Sequence, residues 1–217
     1  MDPLAHHSKV NTILVTNTRA CPNGASIAAD IAQMFASEGT RVVLIDADLH
    51  RPLLHKHFGL PKGLGLSDLL NTHRSPLSML NHRENGKLAI LTGGNDTGSN
   101  FKLFRSEKFR NHLQILKNEF DQVIIQGPPF FYAETLDLAI MVDRVVLLIH
   151  PAYNKTKTSQ AIIGKFQRTG AALFGIAMRE QSHNQAKQSA AINRILAFDH
   201  RQMYYYNFLK NSPLKIQ

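Results

Sequence analysis

Residues 13–32 read Ile13-Leu14-Val15-Thr16-Asn17-Thr18-Arg19-Ala20-Cys21-Pro22-Asn23-Gly24-Ala25-Ser26-Ile27-Ala28-Ala29-Asp30-Ile31-Ala32. The first residues are apolar or β-branched, the middle is turn-forming, and Ser26–Ser37 carries a helical pattern. The order is therefore strand, loop, helix. A loop that opens onto a helix in this way is a natural phosphate seat. The first turn offers free backbone N–H groups at the positive end of the helix dipole. Loops of this kind also carry a lysine against the phosphates, and none stands in this stretch.

Similar apolar runs recur along the chain, at Arg41–Asp46, Leu88–Leu91, Gln122–Ile125, Arg144–Ile149 and Ala172–Ala177, after a first at Thr12–Thr16. They do not alternate with polar residues, which suits strands buried on both faces. Helical patterns fall between most of them, at Ser26–Ser37, Phe104–Glu119 and Ser159–Thr169. Strand alternating with helix predicts a three-layer α/β fold, a mostly parallel central sheet flanked by helices. In such sheets ligands bind beyond the carboxyl ends of the strands. Gly59–Gly65 and Gly93–Asn100 read as loops, and Ser67–Leu70 as a short helix. After Arg179 the pattern weakens, with a further helix expected over Gln185–Ala197. The expected organisation is a disordered segment 1–11, one domain over 12–200, and a tail over 201–217 containing Tyr204-Tyr205-Tyr206.

At 217 residues the chain is long enough for a substantial core. Its lone Cys21 excludes an internal disulfide. The eleven histidines show no zinc-ligand spacing. Residues 1–11 lack the apolar centre of a signal peptide, and no apolar run reaches the ~20 residues that span a bilayer. The expected location is the cytoplasm, with peripheral attachment to the inner face of the plasma membrane. The net charge is +9, and residues 151–217 hold ten Lys and Arg against two acids, Glu180 and Asp199. A basic surface of that kind suits an anionic membrane or an acidic partner.

Val42-Val43-Leu44-Ile45-Asp46-Ala47-Asp48 ends an apolar strand in two carboxylates, and Leu49-His50-Arg51-Pro52 adds a cation. At a strand end both acids can reach a metal–phosphate site, hold Mg²⁺ through water and take a proton from an attacking hydroxyl. This run continues into Leu54-His55-Lys56-His57-Phe58-Gly59-Leu60 and Gly65-Leu66-Ser67-Asp68-Leu69-Leu70. Together they resemble the bacterial tyrosine kinases of capsule and exopolysaccharide synthesis, which belong to the MinD/ParA-like class of P-loop ATPases. Phe120-Asp121-Gln122-Val123-Ile124-Ile125-Gln126-Gly127-Pro128-Pro129 is similar to the family's Walker B strand. The resemblance covers roughly residues 12–180.

The resemblance implies ATP and Mg²⁺ as cofactors, with Asp46 and Asp48 serving the metal and the phosphoryl acceptor. It places Arg19, Asn23, Gly24, Ala25, Ser26, Ile27, Gln126 and Arg179 around the nucleotide. It makes Tyr204, Tyr205 and Tyr206 candidate phosphoacceptors. Several of these positions depart from the family. A gapless alignment puts Gly24 at the lysine and Ala25 at the Mg²⁺-binding hydroxyl. A one-residue shift restores Gly24 and Ser26 to the pattern and puts Ala25 at the lysine, but spoils the match of Ala28–Ala32 to the following helix. Gln126 replaces an aspartate and Arg179 an adenine-reading asparagine. These departures suggest a degenerate ATP site in a scaffold or regulator that docks on the cytoplasmic tail of a membrane polysaccharide co-polymerase. Family members usually form rings through a Glu/Arg-bearing helix before the first strand. Residues 1–11 contain neither residue, so ring formation by that route is not expected. Two other readings stand beside this one. The first is an active tyrosine autokinase in which Arg19 or Lys102 replaces the lysine. The second is a MinD/ParA-like positioning accessory whose basic third binds DNA or membrane. The polysaccharide-like motifs weigh against nucleic acid as partner.

Overall fold

The computed structural model describes residues 11–18, 23–95, 101–149, 157–171, 173–178 and 205–206. The expected helix over Gln185–Ala197 and the bulk of the expected N- and C-terminal segments lie outside them. The sheet has eight strands in the order β3-β4-β2-β5-β1-β6-β7-β8. These are β1 (Thr12–Asn17), β2 (Val42–Asp46), β3 (Asn81–Arg83), β4 (Leu88–Leu91), β5 (Gln122–Gln126), β6 (Arg144–Ile149), β7 (Leu173–Met178) and β8 (Tyr205–Tyr206). Every pairing is parallel except that of β3 with β4. The helices are α1 (Asn23–Ser37), α2 (Leu54–His57), α3 (Leu66–Asn71), α4 (Glu107–Glu119), α5 (Ala133–Ala139) and α6 (Lys157–Arg168).

Alternate residues of the central strands feed two cores, one on each face of the sheet. Ile13, Val15, Val42, Leu44, Ile124 and Val146 pack against Ala28, Ile31 and Ala32 of α1. Leu14, Val43, Ile45, Val123, Ile125 and Leu147 pack against Leu113 of α4, Leu138 of α5 and Phe166 of α6. Both faces are covered, which is why these strands show no polar alternation. This is the three-layer α/β architecture that the sequence predicts.

Three elements differ from the sequence reading. β3 has the sequence Asn-His-Arg and pairs antiparallel with β4 at the sheet edge. It buries no apolar face, so no hydrophobic pattern announces it. The helix expected from Phe104 begins as an α-helix only at Glu107. The Ser106 hydroxyl accepts from the Phe109 N–H at 3.1 Å, and a 3₁₀ turn over Phe101–Arg105 precedes it. Of the expected C-terminal tail, the backbone of Tyr205–Tyr206 pairs parallel with Ile176–Ala177 of β7.

Candidate phosphate and metal site

Three adjacent strands, β2, β5 and β1, end on one edge of the sheet, Asp46 level with Gln126 and β1 running two residues further. Their last residues are Asp46, Gln126 and Asn17. Each lies two positions after a residue that packs on α1: Leu44, Ile124 and Val15. Strand alternation therefore puts Asp46, Gln126 and Asn17 on the α1 face as well. All three are buried. Each also has one side-chain oxygen, Oδ1 of Asp46, Oε1 of Gln126 and Oδ1 of Asn17, with no hydrogen-bond partner. Buried acceptors left unmatched are rare and destabilising in a finished fold. Three of them, unpartnered among the described residues, lie on one face at the carboxyl end of the sheet, where a donor or a cation could meet them.

Asp46 is fully buried at the end of β2. Its Oδ2 accepts from the N–H groups of Leu53 and Leu54, each at 2.9 Å, and so fixes the start of α2. Burial pushes the carboxyl up to about 7, and the nearby Asp48 adds to this against the opposing backbone N–H groups. Asp48 follows outside the strand. Burial raises it to about 6, while the Arg51 N–H (3.2 Å to Oδ1), His50 and the Gln126 amide oppose the rise. The strand ends at Asp46, so the two carboxylates are freed from strict alternation, and their charges interact. Gln126 pairs in register with Asp46, and its Nε2 donates to the Gly127 carbonyl at 3.0 Å.

Two residues that sequence reading missed complete this side. His50 Nε2 lies 2.6 Å from Glu134 Oε1, and the His50 ring stacks on Tyr132 with centroids 3.7 Å apart. Glu134 is almost wholly buried in the first turn of α5. It reaches His50 across 84 positions of sequence, a separation that no local pattern encodes. The wall opposite is the loop after β4. Asp68 Oδ2 accepts from Gly65 N at 2.9 Å and Asn95 N at 3.2 Å, which ties that loop to α3. A Cβ on Gly93 would lie 2.6 Å from Pro52 Cβ and 3.7 Å from Asp46 Cγ, so this wall stands directly against the carboxylate.

The loop side is different. Helix α1 begins at Asn23, and Gly24 lies in its first turn. A Cβ on Gly24 would fall 2.6 Å from both Nδ2 and Oδ1 of Asn17, and 3.0 Å from its Cγ. The Asn17 amide thus rests against the position that the gapless alignment gives to the lysine. Ala25 and Ile27 are buried in the α1 core, and Ser26 is half-buried. Arg19, Arg179 and Tyr204 lie outside the described residues, as do the side chains of Asn23, Lys102, Tyr205 and Tyr206. Of the expected site residues, the structure brings Asp46, Asp48 and Gln126 together, and it sets Gly24 against Asn17.

Tested against the cofactors that the resemblance implies, the two sides disagree. The unpartnered oxygens of Asp46 and Gln126, with Asp48 beside them, are hard acceptors of the kind a hydrated Mg²⁺ takes. The loop side offers no lysine, in either register, for a triphosphate.

No protein-family model matches the chain. Comparison with known proteins finds a tyrosine-protein kinase, ptk, of Acinetobacter johnsonii that is 32% identical over 162 residues. That match covers 74% of this chain but only 22% of the relative. A putative tyrosine-protein kinase, CapB, of Staphylococcus aureus is 24% identical over 202 residues, covering 93% of this chain and 82% of the relative. Among solved structures, the kinase domain of VpsO superposes with a TM-score of 0.75 at 27% identity, over 82% of this chain and 89% of that one. A cobyrinic acid a,c-diamide synthase from Mycobacterium smegmatis, solved with ADP and magnesium, shares the fold alone. Its TM-score is 0.67 at 17% identity, over 87% of this chain and 81% of that one. By sequence and fold together, the chain belongs to the bacterial tyrosine-kinase family.

Proposed function

We propose that this chain serves capsule or exopolysaccharide synthesis as a scaffold or regulator of a membrane polysaccharide co-polymerase, with an ATP site too weak for efficient kinase chemistry. The observation that carries this reading is the split site. The carboxylates Asp46 and Asp48 are in place, while the lysine position holds Gly24 with the Asn17 amide against it. Phosphoryl transfer rests on positioning and on neutralising charge. Loss of one stabilising group commonly lowers the rate by ~10²–10³. Here a lysine, a hydroxyl and a Walker B carboxylate are missing together, although such effects do not add. Mg²⁺, when bound, would be held by Asp46, Asp48 and Gln126 and would polarise phosphate oxygens. The partner would be the cytoplasmic tail of the co-polymerase, and the basic last third would face it or the membrane at the inner side. A chimerical protein named CapA2B2 is among the structural neighbours, at 27% identity.

The intact pair Asp46 and Asp48 favours a second reading, an active autokinase acting on Tyr204, Tyr205 and Tyr206. Purified protein incubated with Mg²⁺ and ATP separates the two. The scaffold reading expects no phosphotyrosine above that of the D46N and D48N variants. A phosphotyrosine signal that either substitution abolishes would establish the kinase instead.

A further inference from the structure

Asn17 stands outside every role that the family resemblance assigns, yet it has an unusual environment. It is the last residue of β1, 4% exposed, and its Oδ1 has no partner. Its whole amide group occupies the volume into which a side chain at position 24 would project. Contacts of 2.6 Å from a Cβ to two heavy atoms are far inside van der Waals range. A side chain at position 24 therefore needs the Asn17 amide, the end of a side chain, to shift from its buried place. The first turn of α1 faces a neutral amide where a phosphate loop presents its lysine and its anion.

We propose that Asn17 and Gly24 form a coupled pair in which the Asn17 amide occupies the place that the first carbons of a lysine at position 24 would take. The Asn17 amide lies where a side chain at position 24 would begin, and glycine there leaves it that room. Restoration of the lysine alone is then insufficient, because the amide blocks its first carbon. This rests on the reading of a weakened ATP site and deepens it by naming the determinant.

The pair is tested first without nucleotide, by thermal denaturation of the full chain as wild type, N17A, G24A and N17A/G24A. In the wild-type background G24A is expected to lower Tm by about 3–6 °C, the usual scale of an overpacking change in a chain of this size. With Asn17 already removed, the same substitution is expected to lower Tm by less than half as much. Equal Tm shifts in the two backgrounds would overturn the proposal, since independent sites add. The functional half is read by calorimetric titration of ATP with Mg²⁺ into G24K and N17A/G24K. The double variant is expected to bind at least about tenfold more tightly than G24K, a step of ~1.4 kcal/mol. Equal affinities would remove Asn17 as the determinant. Wild-type protein that bound ATP at micromolar concentration would contradict the weakened-site reading, while the Tm series would still decide the coupling.

Discussion

Asp46 is held by the fold in an environment that disfavours its charge. One oxygen receives two N–H groups, the other receives none, and burial foremost lifts the carboxyl to about 7. An unfolded aspartate titrates near pH ~4. Between about pH 4 and pH 7 the folded chain therefore binds more protons at this site than the unfolded chain does. Its contribution to stability is full below that window and is lost as pH rises through it. Asparagine would keep an oxygen for Leu53 and Leu54 and remove the charge. D46N is expected to be more stable than wild type by about 1–3 kcal/mol at pH 8, with a flatter stability profile between pH ~5 and ~8. Urea denaturation across that range measures both. An unchanged profile would place the titration at Asp48 instead.

At the scale of elements, the site depends on loops pinned by side chains distant in sequence. Asp68 ties the loop after β4 to α3, and Gly94 makes that approach feasible. Gly94 has φ of +95°, and a Cβ there would collide with the Ser67 hydroxyl and lie 2.5 Å from Asp68 Oδ2. G94A is therefore expected to lower stability by about 1–3 kcal/mol, through both left-handed strain and loss of the Asp68 anchor. Urea denaturation reads the loss, and stability within ~0.5 kcal/mol of wild type would contradict this account of the wall. The central strands were legible because burial on both faces leaves continuous apolar runs such as Val42–Ile45. Asp46 and Asp48 were legible because two acids closing such a run are unusual. The His50–Glu134 pair was not, since it joins two elements 84 positions apart. Nor was the role of Asn17: as a residue ending a strand it carries no signal until α1 is folded across it. β3 escaped because an exposed edge strand needs no apolar face.

At the scale of the whole molecule, charge and fold point in one direction. Residues 151–217 hold ten Lys and Arg against two acids, so they carry +8 of the +9 net charge. Among the described residues, no helix is long and apolar enough to cross a membrane. The proposed contact with an anionic membrane surface rests on this basic third. Vesicles containing about 30% anionic lipid are expected to bind the chain at ~50 mM salt and to release most of it by ~300 mM, with little binding to neutral vesicles. Sedimentation of protein with vesicles measures this, and salt-independent or absent binding would confine the basic third to protein contacts. Random-sequence DNA at low salt is the matching control, because strong binding there would favour a positioning accessory over a polysaccharide partner.

The residues meet at one proposal: the framework of a bacterial tyrosine kinase survives here with the Asn17 amide against the lysine position and a weakened ATP site. Calorimetric titration of ATP and ADP, with and without Mg²⁺, into folded, nucleotide-free protein tests it most directly. The account predicts no binding heat up to about millimolar nucleotide. Micromolar, Mg²⁺-dependent binding by the wild-type chain would contradict it and return the protein to the active kinases.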